Sequence, residues 1–315
     1  MQDTFPIPMR VRPLRIACIG EAMVELSFPA GETGAPEIGY SGDTLNTAIY
    51  LKRKIADWCD VAFLTALGTD RFSDQMVDFM IREALQTETI SRLSDRLPGL
   101  YAIVTDSEGE RSFNYWRDSS AARFMFETVE GPDFSRLAAF DVIYFSAISL
   151  AILPVKTRGA FLAWIEAARS RGDCVVAFDS NYRPGLWADV HEARHWTEKA
   201  WRVTDIALPS ADDEMALFND ASPEAVLSRL AGYGLKVGVL KNGAAGPISF
   251  QPVADLPKFQ PADKVVDTTA AGDSFNGAFL AAIFSGKNLA DAMISGHQCA
   301  ARVVGFAGAF EKPGR

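Results

Sequence analysis

The sequence predicts an α/β fold in which helices cover a mostly parallel sheet. Short runs rich in apolar and β-branched residues alternate with longer amphipathic stretches, as expected for strands joined by helical crossovers. The chain of 315 residues is long enough for one large α/β domain or two smaller ones, and it contains no internal repeat. Two stretches, residues 23–40 and 100–116, break the alternation and predict a small additional sheet.

Six apolar runs predict the strands of the central sheet, and eight longer stretches predict the helices that cover it. The predicted strands are residues 15–20, 61–66, 142–146, 174–179, 206–209 and 236–241. The predicted helices are residues 44–55, 74–83, 156–170, 190–201, 212–219, 223–233, 274–284 and 289–304.

The additional sheet is predicted from an extended Gly- and Pro-rich stretch and from a hairpin. Residues 100–105 and 111–116 flank a polar loop, residues 106–110, and this pattern is typical of two antiparallel strands. The sheet could be a lid over a cleft or a peripheral flap, and the residues alone favour neither. We place it at about residues 22–41 and 98–118.

Charge and composition exclude several classes of protein. A net charge of −9 with no basic stripe argues against a nucleic-acid partner, and an anionic substrate would need a few well-placed Arg or Lys side chains. The four cysteines are scattered without metal or disulfide spacing, which predicts free thiols and a cytoplasmic protein. No uncharged segment reaches the ~20 residues that a membrane span requires, so no membrane partner is predicted.

The segment 267–277 combines small residues and two carboxylates at the predicted start of a helix. Ala271 and Gly272 leave the first backbone N–H groups of that helix open, and a helix N-terminus attracts anions. Asp273 would be repelled by such an anion unless it serves another purpose, such as that of the general base in a phosphoryl transfer. A capped helix start is the alternative interpretation.

A second tight turn precedes the first predicted helix, at residues 39–44. Gly42 allows the turn, and Asp43 and Asn46 fall in the first helical turn, where their side chains could bind sugar hydroxyls. A plain capped helix start would explain the same residues.

Together these two segments resemble the signatures of the PfkB, or ribokinase-like, family of sugar kinases. The C-terminal signature of that family is Asp-Thr-Thr-Gly-Ala-Gly-Asp, and here Ala270 stands at the position where Gly is commoner. In the N-terminal signature Gly-Gly-x-x-x-Asn-x-Ala, Ser41 replaces the first Gly, while Gly42, Asn46 and Ala48 match. The resemblance implies that residues 1–315 form one kinase domain, a three-layer sandwich with a small β-sheet lid. It also implies that Asp273 is the general base and that the amides of Ala270, Ala271 and Gly272 form an anion hole.

Within the family, the run Gly-Asp-Thr-Leu-Asn-Thr-Ala resembles the kinases that phosphorylate O6 of 2-keto-3-deoxygluconate. That resemblance implies substrate binding by Tyr101, Tyr115, Arg117 and Arg183, besides Gly42, Asp43 and Asn46. A sugar acid presents a carboxylate, which a planar guanidinium grips with two parallel hydrogen bonds. A neutral sugar would need no such arginine.

The cofactors implied by the resemblance are ATP and Mg²⁺, although the chain has no Walker A motif. The residues expected on the nucleotide side are Asn181, Lys241, Gly243, Gly246 and Thr268. Asp213 or Glu214 would supply an acidic group, and residues 301–309 are expected at the adenine. The exposed sheet of the lid predicts a homodimer formed through paired lids, or a higher homo-oligomer.

Two alternatives remain open from the sequence. A fructokinase or ribokinase acting on a neutral sugar would share the base, and a sugar-sensing regulator descended from a kinase would bind sugar without turnover. The stretch His191–His195 also matches the zinc-peptidase pattern His-Glu-x-x-His. We interpret that match as accidental, because Arg194 would place a positive charge beside the metal, and we predict no protein metal site.

Overall fold

The computed structural model describes residues 12–28, 35–55, 59–105, 111–235, 237–254 and 256–311. In chain order its strands are β1 Leu14–Ile19, β2 Met23–Phe28, β3 Glu37–Ser41, β4 Cys59–Leu64, β5 Ala66–Leu67, β6 Ser91–Arg92, β7 Gly99–Thr105, β8 Arg111–Trp116, β9 Glu127–Thr128, β10 Gly131–Pro132, β11 Val142–Ser146, β12 Val175–Asp179, β13 Ile206–Ala207, β14 Val237–Leu240 and β15 Ile248–Ser249. Its α-helices are α1 Asp43–Lys54, α2 Arg71–Arg82, α3 Ala147–Ile152, α4 Val155–Ser170, α5 Val190–Arg202, α6 Ala211–Phe218, α7 Pro223–Ala231, α8 Ala271–Phe284 and α9 Leu289–Val303.

A seven-stranded sheet in the order β15-β14-β13-β12-β11-β1-β4 forms the centre of the molecule. All neighbouring strands pair in parallel except β14 and β15, and Ile16 of β1 lies opposite both Val142 and Val61. Parallel strands end at one common edge of the sheet, and in such folds ligands bind outside that edge. Here the edge carries Ser146 and Asp179, the last residues of β11 and β12.

Alternation of side chains along the strands divides the core into two layers. Phe145 and Phe178 pack on one face with α3, α4 and α5, whereas Ile16 and Tyr144 pack on the other with α1, α2 and α8. Helix α8 is apolar on all sides because the sheet, α1 and α9 surround it. The predicted three-layer α/β sandwich is therefore confirmed.

Helices α1 and α8 cross closely at Gly277. A Cβ atom at this position would come within 2.7 Å of the Thr47 carbonyl oxygen and of the Leu51 nitrogen. Only a residue without a side chain permits this approach. The crossing brings the first turn of α1 beside the first turn of α8.

The second sheet has four strands in the order β3-β2-β7-β8. It consists of two antiparallel hairpins joined by the parallel pair β2 and β7, in which Glu25 lies opposite Tyr101. The small mixed sheet predicted from the sequence is present, and we call it the lid. The predicted loop 106–110 and residues 29–34 of the predicted extended stretch lie outside the described residues, and the assignment of residues 1–315 to one kinase domain stays a prediction.

The sequence missed a few elements. Helix α3 lies within an uncharged apolar stretch, where no change of polarity marks a boundary, and it begins with a capping box between Ser146 and Ser149. Strand β15 is only two residues long, too short for a periodic signal. The part of the chain that the structure describes contains no helix long and apolar enough to cross a membrane.

Candidate active site

Helix α8 begins with an unusual backbone turn. Ala270 precedes it in the left-handed conformation, with φ 60° and ψ 12°, and no side chain caps the helix. The N–H groups of the first turn of a helix have no partners within the helix, so an uncapped start leaves donors for an anion. The methyl group of Ala270 makes this conformation less favourable than glycine would, by roughly 1–2 kcal/mol.

The turn before α8 is held by Asp267. Its carboxylate accepts hydrogen bonds from the N–H and hydroxyl groups of Thr269 and from the N–H of Gly308. The Thr268 carbonyl accepts a hydrogen bond from the Ala271 N–H. These contacts fix the shape of the predicted anion hole without using the amides of Gly272 and Asp273.

Asp273 lies half-buried in the first turn of α8 and faces α1. Its Oδ2 accepts a 2.9 Å hydrogen bond from Nδ2 of Asn46, and its backbone oxygen accepts one from the Thr47 hydroxyl. Burial, followed by the nearby Asp43 carboxylate, raises the pKa of Asp273 to about 8, although the Asn46 hydrogen bond opposes the shift. A carboxylate with a pKa near neutrality is suited to general base catalysis.

Two more carboxylates lie at the same edge of the sheet. Asp43 accepts hydrogen bonds from the Ser146 hydroxyl and from Nδ2 of Asn181, and burial raises its pKa. Asp179 accepts a 2.8 Å hydrogen bond from Nζ of Lys241. The edge therefore carries three acidic groups and one lysine that balances part of their charge.

Lys241 follows the last residue of β14, and its side chain reaches the start of α8. A Cβ atom built on Gly272 would lie 3.7 Å from Nζ of Lys241, so the ammonium group lies beside the open amides. The turn that follows needs glycine twice, since Gly243 and Gly246 have φ values of 49° and 88°. A positive charge, a helix N-terminus and a glycine turn are thus adjacent, which is a suitable environment for phosphates.

A cavity of about 460 Å³ adjoins this glycine turn. Phe259 packs so closely on Gly246 that a Cβ atom there would lie 2.5 Å from its side chain. Phe259 also lines the cavity, together with Ile294, His297 and Ala301. Of the residues expected at the adenine, 301–309, the cavity includes Ala301 and Arg302, and the segment 257–263 was not foreseen.

The lid places two tyrosines over the site side of its sheet. The rings of Tyr101 and Tyr115 stack with 5.7 Å between centroids, and Tyr115 is 53% exposed. The Tyr101 hydroxyl donates a hydrogen bond to Glu25.

Gly42, between β3 and α1, has no room for a side chain, because a Cβ atom would lie 2.1 Å from the Glu21 carbonyl oxygen.

The two arginines predicted to bind a carboxylate differ in their surroundings. Arg117 is buried, and its Nε and Nη2 both donate to Oε2 of Glu21, which is buried too. Arg183 is 54% exposed and contacts Asp213 at 3.2 Å and the Tyr182 carbonyl at 2.7 Å. Arg117 is therefore neutralised and fixed, whereas Arg183 is open to solvent and weakly paired.

The acidic first turn of α6 has one residue on the site side. Asp213 faces Arg183, and burial raises its pKa. Glu214 points into the core, where Arg229 pairs with it, and burial raises its pKa to about 7. Of the two predicted acidic candidates, Asp213 is the one near the other site residues.

The structure brings most of the predicted site together. Asp273, Asn46, Asp43, Asn181 and Lys241 meet at the carboxyl edge of the sheet, and Asn181, expected on the nucleotide side, contacts Asp43. The sequence analysis missed several polar residues that connect these groups. They are Glu21, Ser41, Thr47, Tyr144, Asp179 and Asn276.

A signal for some of these residues exists in the sequence. Tyr144 places a hydroxyl in the middle of the apolar run of β11, and this hydroxyl lies 3.1 Å from both Thr47 and Asn276. Asp179 ends an apolar strand, and Asn276 interrupts an apolar helix. Polar residues in buried positions require partners.

The His-Glu-x-x-His stretch lies on α5, away from these residues. Glu192 accepts hydrogen bonds from Nη1 of Arg158 and from the Ala188 N–H, and Asp189 caps the helix. Within the described ranges, no group of three His, Cys, Asp or Glu side chains is arranged to hold a metal ion.

An α/β sandwich with an uncapped helix start beside a carboxylate of raised pKa is an arrangement suited to phosphoryl transfer. The pfkB family of carbohydrate kinases matches residues 14–312. The chain belongs to this family.

Curated relatives agree with this assignment. The chain is 43% identical over 300 residues to a 2-dehydro-3-deoxygluconokinase of Dickeya dadantii, covering 93% of this chain and 96% of the relative. It is 42% identical over 302 residues to the enzyme of that name from Escherichia coli K12, covering 94% and 96%. A fructokinase of Vibrio alginolyticus is 28% identical over 265 residues, covering 84% and 82%.

Solved structures share the fold. A PfkB protein from Polaromonas sp. JS666 superposes with a TM-score of 0.78 at 24% identity, covering 92% of this chain and 95% of that one. A fructokinase from Vibrio cholerae O395 in fructose, ADP and calcium ion bound form superposes with a TM-score of 0.77 at 23% identity, covering 94% of each.

Proposed function

We propose that this carbohydrate kinase transfers the γ-phosphate of ATP to the primary hydroxyl, O6, of 2-keto-3-deoxygluconate. This compound is the 2-dehydro-3-deoxygluconate in the names of the relatives that are 43% and 42% identical to the chain. The observation that carries the proposal is the half-buried Asp273 carboxylate with its raised pKa, beside the open start of α8.

Asp273 acts as the general base. The O6 oxygen attacks the γ-phosphorus, a new O–P bond forms, and the bond to the β,γ-bridging oxygen breaks to release ADP. The hydroxyl proton passes to the Asp273 carboxylate, which is a stronger base than an ordinary carboxylate because its pKa is raised. The Asn46 amide, 2.9 Å away, holds the carboxylate in one orientation.

The start of α8 stabilises the transferring group. Of the amides expected in the anion hole, 270–272, that of Ala271 already donates to the Thr268 carbonyl, so the open amides of Gly272 and Asp273 donate to the oxygens of that group, and Lys241 supplies positive charge next to Gly272. The Gly243–Gly246 turn lies along the rest of the phosphate chain. The cavity behind Phe259 has the aromatic and aliphatic walls that suit an adenine ring.

Magnesium would accompany the nucleotide. Mg²⁺ keeps several waters and binds through substrate phosphates with one or two carboxylates. Asp213 suits this role because it is near Asp179 and Lys241 and belongs to no tight ion pair, whereas Glu214 is enclosed with Arg229. The ion would neutralise charge on the phosphates.

Recognition of the sugar acid depends on the arginines and the lid. Arg183 has an exposed guanidinium that can exchange its 3.2 Å contact with Asp213 for a substrate carboxylate. Arg117, held by Glu21, presents its remaining N–H donors in a fixed direction, and Tyr101 and Tyr115 offer hydroxyls. Closure of the lid excludes water and limits wasteful ATP hydrolysis.

The test is a substrate panel with Mg-ATP and coupled detection of ADP. Keto-deoxy sugar acids of gluconate and galactonate type are compared with fructose and ribose at equal concentration. We expect kcat/KM for the best sugar acid to exceed that for either neutral sugar by at least about 100-fold, since a neutral sugar lacks the charge-assisted hydrogen bonds between a carboxylate and a guanidinium, which contribute roughly 3 kcal/mol. A preference for fructose would replace the proposal with a fructokinase, and sugar binding without ADP formation would indicate a sensor.

A further inference from the structure

Ser41 stands where the PfkB signature carries glycine, and it has a side chain that reaches the site. It is the last residue of lid strand β3, and it is buried. Its hydroxyl donates a 3.1 Å hydrogen bond to Oδ1 of Asn46. Nδ2 of the same amide donates the 2.9 Å hydrogen bond to Asp273. A continuous polar chain therefore runs from the lid to the proposed base.

The orientation of the Asn46 amide is decided by its two neighbours. The oxygen and nitrogen ends of an amide have almost the same shape, so hydrogen bonds alone determine which end faces the carboxylate. Asn46 is buried, and its oxygen would lose a donor if the Ser41 hydroxyl were absent. A buried acceptor without a donor is unfavourable, and the orientation that supports Asp273 would be weakened.

We propose that Ser41 is a positioning residue of the phosphoryl transfer, which holds the Asn46 amide with its NH₂ group towards Asp273 and thereby links the base to the end of a lid strand. The proposal rests on the kinase function proposed above. It identifies a contribution of the lid to the chemical step, besides the exclusion of water.

The position of Ser41 makes this link mechanical. It follows Tyr40 at the base of β3, and Gly42, which has no room for a side chain, connects it directly to α1. Any displacement of the end of β3 therefore changes the distance between the Ser41 hydroxyl and Asn46. The base is best oriented when the lid strand is in the position seen here.

The electrostatic consequence has a definite sign. The Asn46 hydrogen bond favours the charged form of Asp273, so weakening it raises the pKa of Asp273 further. Other groups that act on the same carboxylate would be unchanged by a substitution at Ser41. They are Asp43 and Tyr50 of α1, Asp179 of β12, Tyr144 of β11 and Lys241 after β14.

The experiment compares Ser41→Ala with a matched control and a conservative variant. We expect Ser41→Ala to lower kcat by about 3- to 10-fold at pH 7, the range of one net hydrogen bond, with KM for ATP within about twofold. The acid limb of the kcat/KM profile should move to higher pH by roughly half a unit. Ser41→Thr retains a hydroxyl and should restore most of kcat. Ser112→Ala removes an exposed lid hydroxyl that donates to the Val104 carbonyl and should change neither value.

A double-mutant cycle separates positioning from a structural effect. If Ser41 acts through Asn46, adding Ser41→Ala to Asn46→Ala should change kcat by less than about 1.5-fold, because the shared pathway is already broken. An unchanged kcat profile in Ser41→Ala, or an equal loss in the Asn46→Ala background, would overturn the proposal. A lowered melting temperature with an unchanged pH profile would overturn it as well.

One measurement does not depend on the substrate. The carboxyl carbon resonance of Asp273, identified by its loss in Asp273→Asn, is titrated in the ligand-free protein with and without Ser41→Ala. A higher pKa in the variant supports the positioning role even if no sugar on the panel is phosphorylated. An identical titration contradicts that role while leaving the kinase function intact.

Discussion

Replacing Asp273 by Asn tests the proposed base most directly. The substitution keeps the shape of the side chain, but it removes the proton acceptor, and removal of a general base lowers turnover by about 10²- to 10⁴-fold. The new amide can rotate so that its oxygen still accepts from Nδ2 of Asn46. We therefore expect a loss of kcat of at least 100-fold, with KM for the sugar within about threefold.

The raised pKa gives the same residue a signature in the wild type. With a pKa of about 8, roughly a tenth of the molecules carry the carboxylate at pH 7 and nine tenths at pH 9. The kcat/KM of the wild type should rise about tenfold over this interval, because this ratio reports the free enzyme. The residual activity of Asp273→Asn should lack that rise.

The free energy of unfolding of the wild type should fall over the pH range in which its kcat/KM rises. The pKa of Asp273 is raised from 3.8 to about 8, so the folded state binds the proton more tightly than the unfolded chain does. The contribution of this group to stability is full below pH 4 and is lost as the pH rises through 8. Asp273→Asn removes that loss and should be more stable than the wild type at pH 8 by several kcal/mol, because raising the pKa from 3.8 to about 8 corresponds to roughly 5 kcal/mol. Near pH 4 the two proteins should unfold alike.

The assay combines steady-state kinetics from pH 6 to 9.5 with thermal unfolding at each pH. Asp291→Asn is the matched control, since Asp291 is exposed in the first turn of α9 and the substitution removes the same charge. The control should keep wild-type kcat. If Asp273→Asn retains more than about a tenth of wild-type kcat, or loses stability at high pH, the assignment of the base is wrong.

Three other predictions concern the helix start, the sugar acid and the lid. Ala270→Gly should raise the free energy of unfolding by about 0.5–1 kcal/mol, because relief of the left-handed conformation exceeds the extra backbone entropy that glycine loses on folding. Ala84→Gly, at a φ of 58°, should have the same effect, and chemical denaturation measures both. Arg183→Ala should raise KM for the sugar acid by about tenfold or more but KM for fructose by less than about twofold, and equal effects would make Arg183 structural. Trp116 of the lid is 61% exposed, and a large exposed apolar side chain favours a protein interface. We therefore expect light scattering to detect a dimer at micromolar concentration. Trp116→Glu should dissociate that dimer, and Val129→Glu, at another exposed position, should not; a monomeric wild type would contradict paired lids.

The sequence predicts the frame of the molecule because its signals are local. Apolar runs place the six main strands within a few residues, and helical spacing places eight of the helices. The motifs around Asn46 and Asp273 name the centre of the site, since each needs only a few neighbouring residues. Helix α3 escapes such signals because its surroundings are apolar throughout.

The connections within the site could not be predicted in the same way. Glu21 and Arg117 are 96 residues apart in the chain, and Asp179 and Lys241 are 62 apart. From the sequence alone, each of these residues could equally be a charge exposed to solvent or a contact to a ligand. The order of the strands determines which of them form ion pairs with each other. The neutralisation of Arg117 is a consequence of topology, which no local pattern contains.

The close approach at Gly277 has a consequence for how this enzyme can vary. Asn46 and Asp273 are separated by 227 residues of chain, yet one missing side chain a turn further along sets the spacing of the two backbones that carry them. A methyl group added at Gly277 would push α1 and α8 apart, and the Asn46 amide would no longer reach the Asp273 carboxylate. Loss of activity can thus arise from a position that never touches sugar or nucleotide.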